Sequence, residues 1–139
     1  IRGEKLESQI KILVEQIALA EKLNKPVILH CVRCFSELIE IKERLKVSVP
    51  MIIHGFNKSE AIGKQLLAKG FLLSFGNSIL KENSGASKLI QQTDLFFLEP
   101  DSNEKSIEAI YKAAADLTKC TIDELHDRIF ASWHSLSFI

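Results

Sequence analysis

The chain has 139 residues, 46% of them hydrophobic, with 18 basic and 18 acidic side chains and a formal net charge of zero. This length makes a single domain over 1–139 with room for a core. The charge balance excludes a basic sheath around nucleic acid but not a local basic patch, and no apolar run nears the roughly 18–20 residues that span a bilayer, so no membrane partner is expected. Three cysteines, an odd number, and no visible signal peptide point to free thiols in a reducing compartment, and the chain reads as cytoplasmic. It opens on Ile1 and carries its one methionine at Met51, which reads as a fragment or a processed product.

Residues 5–23 carry Leu6, Ile10, Leu13, Val14, Ile17 and Ala20 at steps of three and four, which predicts an amphipathic helix closed by Asn24 and Pro26. Val27 to His30 is a short apolar run, read as a buried strand. A helix over 35–45 follows, then a second strand over Met51 to His54 and a helix from Lys58 to Lys69 with Gly70 as its C-terminal cap. Phe71 to Phe75 is the third strand. Residues 76–85 are rich in Gly, Asn and Ser and read as loop with one turn of helix. A short helix near 86–92 leads to the fourth strand, Leu95 to Glu99. Ile107, Ile110, Tyr111, Ala114 and Leu117 mark another helix, and Thr121 with Glu124 forms a capping-box pattern that opens the last one.

The four strand ends fall near residues 30, 54, 75 and 99, at steps of 24, 21 and 24. Each step fits one strand, one helix and two loops, so the alternation implies an α/β fold with a parallel sheet and right-handed crossovers. An eight-stranded barrel needs about 250 residues. Four parallel strands with flanking helices cannot close a barrel of that kind, so two strand edges are left open, a route to self-association.

Residues at the C-terminal ends of parallel strands converge on one rim, where barrel enzymes place their chemistry. His30 and His54 end two such strands, and imidazole is the commonest metal ligand. Asp101, just past the fourth strand, is a candidate metal ligand and catalytic carboxylate that takes a proton from water. Each has a plainer reading: a hydrogen-bonded strand-end histidine for His30 or His54, a turn or N-cap aspartate for Asp101. Glu99 reads as facing the other way and anchoring a neighbour. Arg33 is placed to clamp a phosphate, or else to pair with Glu37 one turn on. Cys31-Val32-Arg33-Cys34 is a CxxC at a strand-to-helix junction, where a helix N-terminus lowers a thiol pKa. Cys120 reads as packing, and His126 and His134 as surface residues. Gly55-Phe56 and Ser74-Phe75-Gly76 look like tight backbone passages beside a ligand.

Four stretches in order carry a family resemblance: Gln16 to Glu21 leading into Pro26 to His30; Ile53-His54-Gly55-Phe56; Gly70 to Gly76; and Phe97-Leu98-Glu99-Pro100-Asp101. With them the chain resembles the TatD family of metal-dependent hydrolases, often described as TatD-type deoxyribonucleases, over about residues 10–130. The resemblance implies a partial TIM-type (β/α) barrel of the metal-dependent hydrolase kind, about four parallel strands with flanking helices, with one or two divalent metal ions (Mg, Zn, Mn or similar). It implies hydrolysis of phosphodiester bonds in DNA. His30 and His54 would bind one metal, and Asp101 the other metal or the proton. The family's His-x-His and middle-strand glutamate do not occur here and are expected before Ile1, so the chain looks like the C-terminal half of the barrel. Pro100 stands where the family usually has threonine, and Arg33 lies three residues after the histidine rather than two. The tail from Trp133 to Ile139 also departs from the family's asparagine and Leu-Phe pair.

Two other readings stay open. One is a non-catalytic half-barrel that binds a partner or forms a homodimer through its open strand edges. The other is a thiol redox protein using Cys31 and Cys34.

Overall fold

The computed structural model describes residues 2–100 and 107–136, with side chains from Lys5 onward. The elements are α1 (Arg2–Leu23), β1 (Val27–Leu29), α2 (Phe35–Arg44), β2 (Met51–Ile53), α3 (Glu60–Ala68), β3 (Leu72–Phe75), a 3₁₀ turn (Asn77–Leu80), α4 (Gly85–Ile90), β4 (Phe96–Leu98), α5 (Ile107–Thr118) and α6 (Ile122–Ser135). The four strands form one parallel sheet in the order β1-β2-β3-β4.

Local chemistry sets most boundaries. Ser59 caps α3 by accepting from the Ile62 N–H, and Ser84 caps α4 by accepting from the Ser87 N–H. Thr121 and Glu124 form the full capping box at α6, which runs on to Ser135, past the point where its sequence period fades. Gly70, at φ +81°, supplies the left-handed turn that ends α3. At the other end of the chain, Glu21 accepts the Ser48 and Val49 N–H groups at 2.6 and 3.1 Å and ties α1 to the loop before β2. These bonds hold its carboxyl below the ordinary carboxylate range, the Ser48 hydroxyl first and the two backbone donors after it.

Alternation along the strands divides the sheet into two faces. Val27, Leu29, Met51, Ile53, Leu73, Phe75 and Phe96 point to the helices and form the main core with residues such as Leu38, Leu66, Leu89, Ile110 and Leu125. The opposite face would be the interior of a closed barrel. There Ile52, Leu72 and Phe97 form a second cluster with Leu136. Trp133 of α6 lies 4.4 Å from Phe97 between ring centres, so the end of α6 covers this face at β4. At β1 it is open: Ile28 is 59% exposed, while Ile52 beside it is 2%. No described helix is long and apolar enough to cross a membrane.

Candidate metal centre at the strand ends

The register builds the rim. Leu29 pairs with Ile53, and the His54 N–H donates to the Leu29 carbonyl at 2.8 Å, so His30 and His54 leave the sheet side by side on the barrel-interior face. Their ring centres are 6.0 Å apart. Two imidazoles on one tetrahedral ion, at about 2.0–2.1 Å per bond, put their ring centres roughly 5 Å apart, so a small closing movement makes a pair of ligands.

Glu99 reaches the same rim. Its N–H donates to the Phe75 carbonyl at 3.0 Å, which extends β4 by one residue beyond Leu98. The expectation that Glu99 faces away is overturned. Residues two apart on a strand share a face, so Glu99 follows Phe97 to the interior side. Its Oε2 lies 2.7 Å from His54 Nδ1 and accepts the Ser74 hydroxyl at 2.5 Å. The expectation that it anchors a neighbour holds, and the neighbour is His54. An ionised carboxylate only accepts, so the proton of this pair sits on Nδ1 and leaves Nε2 as the free lone pair. That is the arrangement a metal-ligating histidine needs, and the donor set fits a divalent ion on this count.

Bare backbone makes the space. Gly55, at φ +63°, would place a Cβ 3.2 Å from Glu99 Oε1, and a Cβ at Gly76 would come within 3.5 Å of Glu99 Cγ. The two tight passages expected from sequence therefore flank the carboxylate that holds His54.

Asp101 lies outside the described residues. Among the described residues no group of three or more His, Cys, Asp or Glu forms a complete metal cluster. Arg33 lines an open hollow of about 770 Å³ together with His30, Cys34 and Glu37. It makes no ion pair with Glu37; the described pairs are His54–Glu99, Lys64–Glu60 and Lys69–Glu43.

The CxxC pair sits in the same loop. The Cys31 and Cys34 sulfurs are 2.9 Å apart, both as free thiols, and the Cys34 N–H donates to Cys31 Sγ. Burial, and then the hydrogen bond to Cys34, push the Cys31 thiol up to about 12. The expected lowering by the helix N-terminus is not found at Cys31, because its sulfur sits half-buried with a second thiol, not a cation, as its neighbour. Cys120 packs against the core beside the Thr118 hydroxyl, as expected. His126 and His134 are exposed on α6 against Tyr111 and Phe130.

Sequence reasoning saw Ser74 only as part of a tight passage. The signal that finds it is register: Ile53 pairs with Leu73, which sets Ser74 level with His54 on the interior face.

Fold and rim together define one portion of a parallel (β/α) barrel with two imidazoles at its strand ends. Residues 2–130 match the family described as TatD related DNase, and the chain belongs to that family. It is similar to the uncharacterized metal-dependent hydrolase YabD of Bacillus subtilis (strain 168), 28% identical over 134 residues that cover 84% of this chain and 52% of that protein. It is also similar to the uncharacterized metal-dependent hydrolase MJ1582 of Methanocaldococcus jannaschii, 25% identical over 142 residues, covering 94% of this chain and 56% of that one. Deoxyribonuclease TATDN3 of Homo sapiens is 28% identical over 102 residues, 72% of this chain and 36% of its own length. Among solved structures, YJJV, a TatD homologue from Escherichia coli K12, superposes with a TM-score of 0.77 at 20% identity, covering 95% of this chain and 57% of that one. A TatD family hydrolase from Entamoeba histolytica gives 0.79 at 15% identity with the same coverage. These two establish the fold. The chain spans about half the length of the first two curated relatives.

Proposed function

We propose that the chain forms one half, carrying part of the ligand set, of a metal-dependent hydrolase of phosphodiester bonds, with DNA as the substrate. The observation that carries this is the pairing of His30 and His54 at adjacent strand ends, with His54 held by Glu99 so that Nε2 is free. Membership of a family described as DNase and the name of the human relative support the nucleic-acid substrate.

In this reading His30 and His54 hold one divalent ion, and Asp101 holds a second ion or takes the proton from the attacking water. The chemistry an ion supplies there is Lewis-acid polarisation of the phosphoryl oxygen and a lowered pKa for water. Arg33, beside His30 and free of Glu37, binds the phosphate through its guanidinium. Glu99 holds His54 in one tautomer and orientation. The free thiols suit a cytoplasmic setting.

The test takes the protein at the length of its relatives, with the family's remaining ligands present. Hydrolysis of an activated phosphodiester and of single- and double-stranded DNA is measured with Mg²⁺, Mn²⁺ and Zn²⁺. His54→Ala should lower kcat/KM by roughly a hundredfold or more, in the range expected for loss of a ligand to a catalytic ion. Activity unchanged in His54→Ala defeats the proposal.

A second reading is favoured by one specific observation, the 59% exposure of Ile28 on an otherwise covered face at an open strand edge. In that reading the chain alone self-associates as a homodimer that covers β1. Light scattering across a concentration series tests it, and a monomer at all concentrations rules it out.

A further inference from the structure

We propose that Ser74 is a positioning residue: its hydroxyl, acting through Glu99, fixes the tautomer and ring orientation of His54 and so aims Nε2 at the rim. The inference deepens the metal reading above, but its first measurement is made without metal.

Within the bounds of the four strands, short of the rim residues His30, His54 and Glu99, Ser74 is the polar inward residue. The other inward positions, Ile28, Ile52, Leu72 and Phe97, are apolar. Ser74 is only 6% exposed. Burying a hydroxyl in such a layer is unfavourable unless it is paired, and its partner is Glu99 Oε2 at 2.5 Å. Because a carboxylate can only accept, Ser74 donates. The oxygen that takes its proton is the one that takes the Nδ1 proton of His54 at 2.7 Å.

Two donors on one oxygen do what one cannot. Glu99 has three side-chain torsions, and its side chain is 15% exposed. Held by His54 alone, whose own side chain is 47% exposed, the carboxylate and the ring would drift together. Ser74 is rigid by comparison, since it sits within β3 and is buried by the sheet. It therefore references the Glu99–His54 pair to the barrel wall. The bare backbone at Gly55 and Gly76 leaves room for the carboxylate where a Cβ would crowd it.

The experiment reads ¹⁵N-labelled histidine spectra of the metal-free protein at pH 8. Wild type should show His54 as the Nδ1–H tautomer. Ser74→Ala should shift it toward Nε2–H, and Ser74→Thr, which keeps the hydroxyl, should restore the wild-type state. A Zn²⁺ titration should then show about tenfold weaker binding in Ser74→Ala, the low end of what outer partners of metal ligands contribute. Where Ser74→Ala does not fold, Ser74→Cys, a near-isostere with a weaker donor, should move the tautomer the same way. A wild-type His54 in the Nε2–H state overturns the proposal. So does a Ser74→Ala protein that loses stability yet keeps the wild-type tautomer, because that is what a merely structural serine would do. A protein whose His54 is Nδ1–H in wild type and shifts in Ser74→Ala, but which takes up no Zn²⁺ at the length of its relatives, defeats the metal reading and supports the positioning role.

Discussion

Gly63→Ala sets two opposed effects against each other at the contact of α3 with α4. In an exposed helix, replacing glycine by alanine gains about 0.8–1.0 kcal/mol. Here the added Cβ would meet Leu89 Cδ2 at 2.2 Å and the Phe56 ring at 3.0 Å. Leu89 is fully buried and Phe56 is 1% exposed, so neither has empty space to turn into. Overpacking of this kind costs about 1–3 kcal/mol, which set against the gain leaves a net loss of up to about 2 kcal/mol. For a domain of this size each kcal/mol moves Tm by roughly 3–5 °C, so the variant should melt lower by up to about 10 °C in calorimetry. Leu89→Val in the same chain removes the clashing reach, and the pair of substitutions should cost less than the sum of the two single ones. A Gly63→Ala protein about 1 kcal/mol more stable than wild type would refute the packing argument, because the propensity gain would then stand unopposed.

Thr121→Ala removes the hydroxyl half of the α6 capping box and should lower stability by about 1 kcal/mol in urea titration. Cys31, with its thiol pushed up to about 12, should be alkylated by iodoacetamide at pH 8 roughly a hundredfold or more slowly than an exposed thiol, since the thiolate is the nucleophile; mass spectrometry of the peptide decides it, and rapid labelling would contradict the half-buried thiol pair. The Glu21 carboxyl is held down in the fold, so the stability it contributes is present above the ordinary carboxylate pKa and is lost as pH falls through the lower folded value. Glu21→Gln should therefore flatten the acid limb of the stability–pH curve, and an unchanged limb would show that the Ser48 and Val49 bonds form without the charge.

Strand and helix order was legible because each apolar run ends in a turn signal that the structure uses: Gly70 beyond α3, Ser84 before α4, Thr121 before α6. Boundaries slipped where polar residues continue an element without an apolar period, as at Arg2–Glu4 in α1, or where β1 ends at Leu29 with His30 already beyond it. The two histidines were legible as a pair because both follow apolar runs of similar length. The roles of Glu99 and Ser74 were not. They depend on which residue of one strand stands level with which of the next, and that register follows from core packing across the whole sheet. Asp101 lies outside the described residues, so its part in the site stays as the resemblance implies.

The core also explains why the rim needs no local device to keep its register. Met51 and Ile53 are 0% and 1% exposed against the helices, and Ile52 and His54 alternate with them toward the interior. A slip of β2 by one residue would turn His54 into the helix layer and lift Met51 and Ile53 out of the core. Ile52 would enter the helix layer in their place, so the core exchanges two large apolar side chains for one and an imidazole, a net cost of up to about 1.5–3 kcal/mol before His54 loses Glu99. Against a total stability of about 5–15 kcal/mol for ordinary domains, that difference is a large share. The position of the His54 imidazole beside His30 is therefore enforced by hydrocarbon that never touches it, and only the orientation of its ring is left to Glu99 and Ser74.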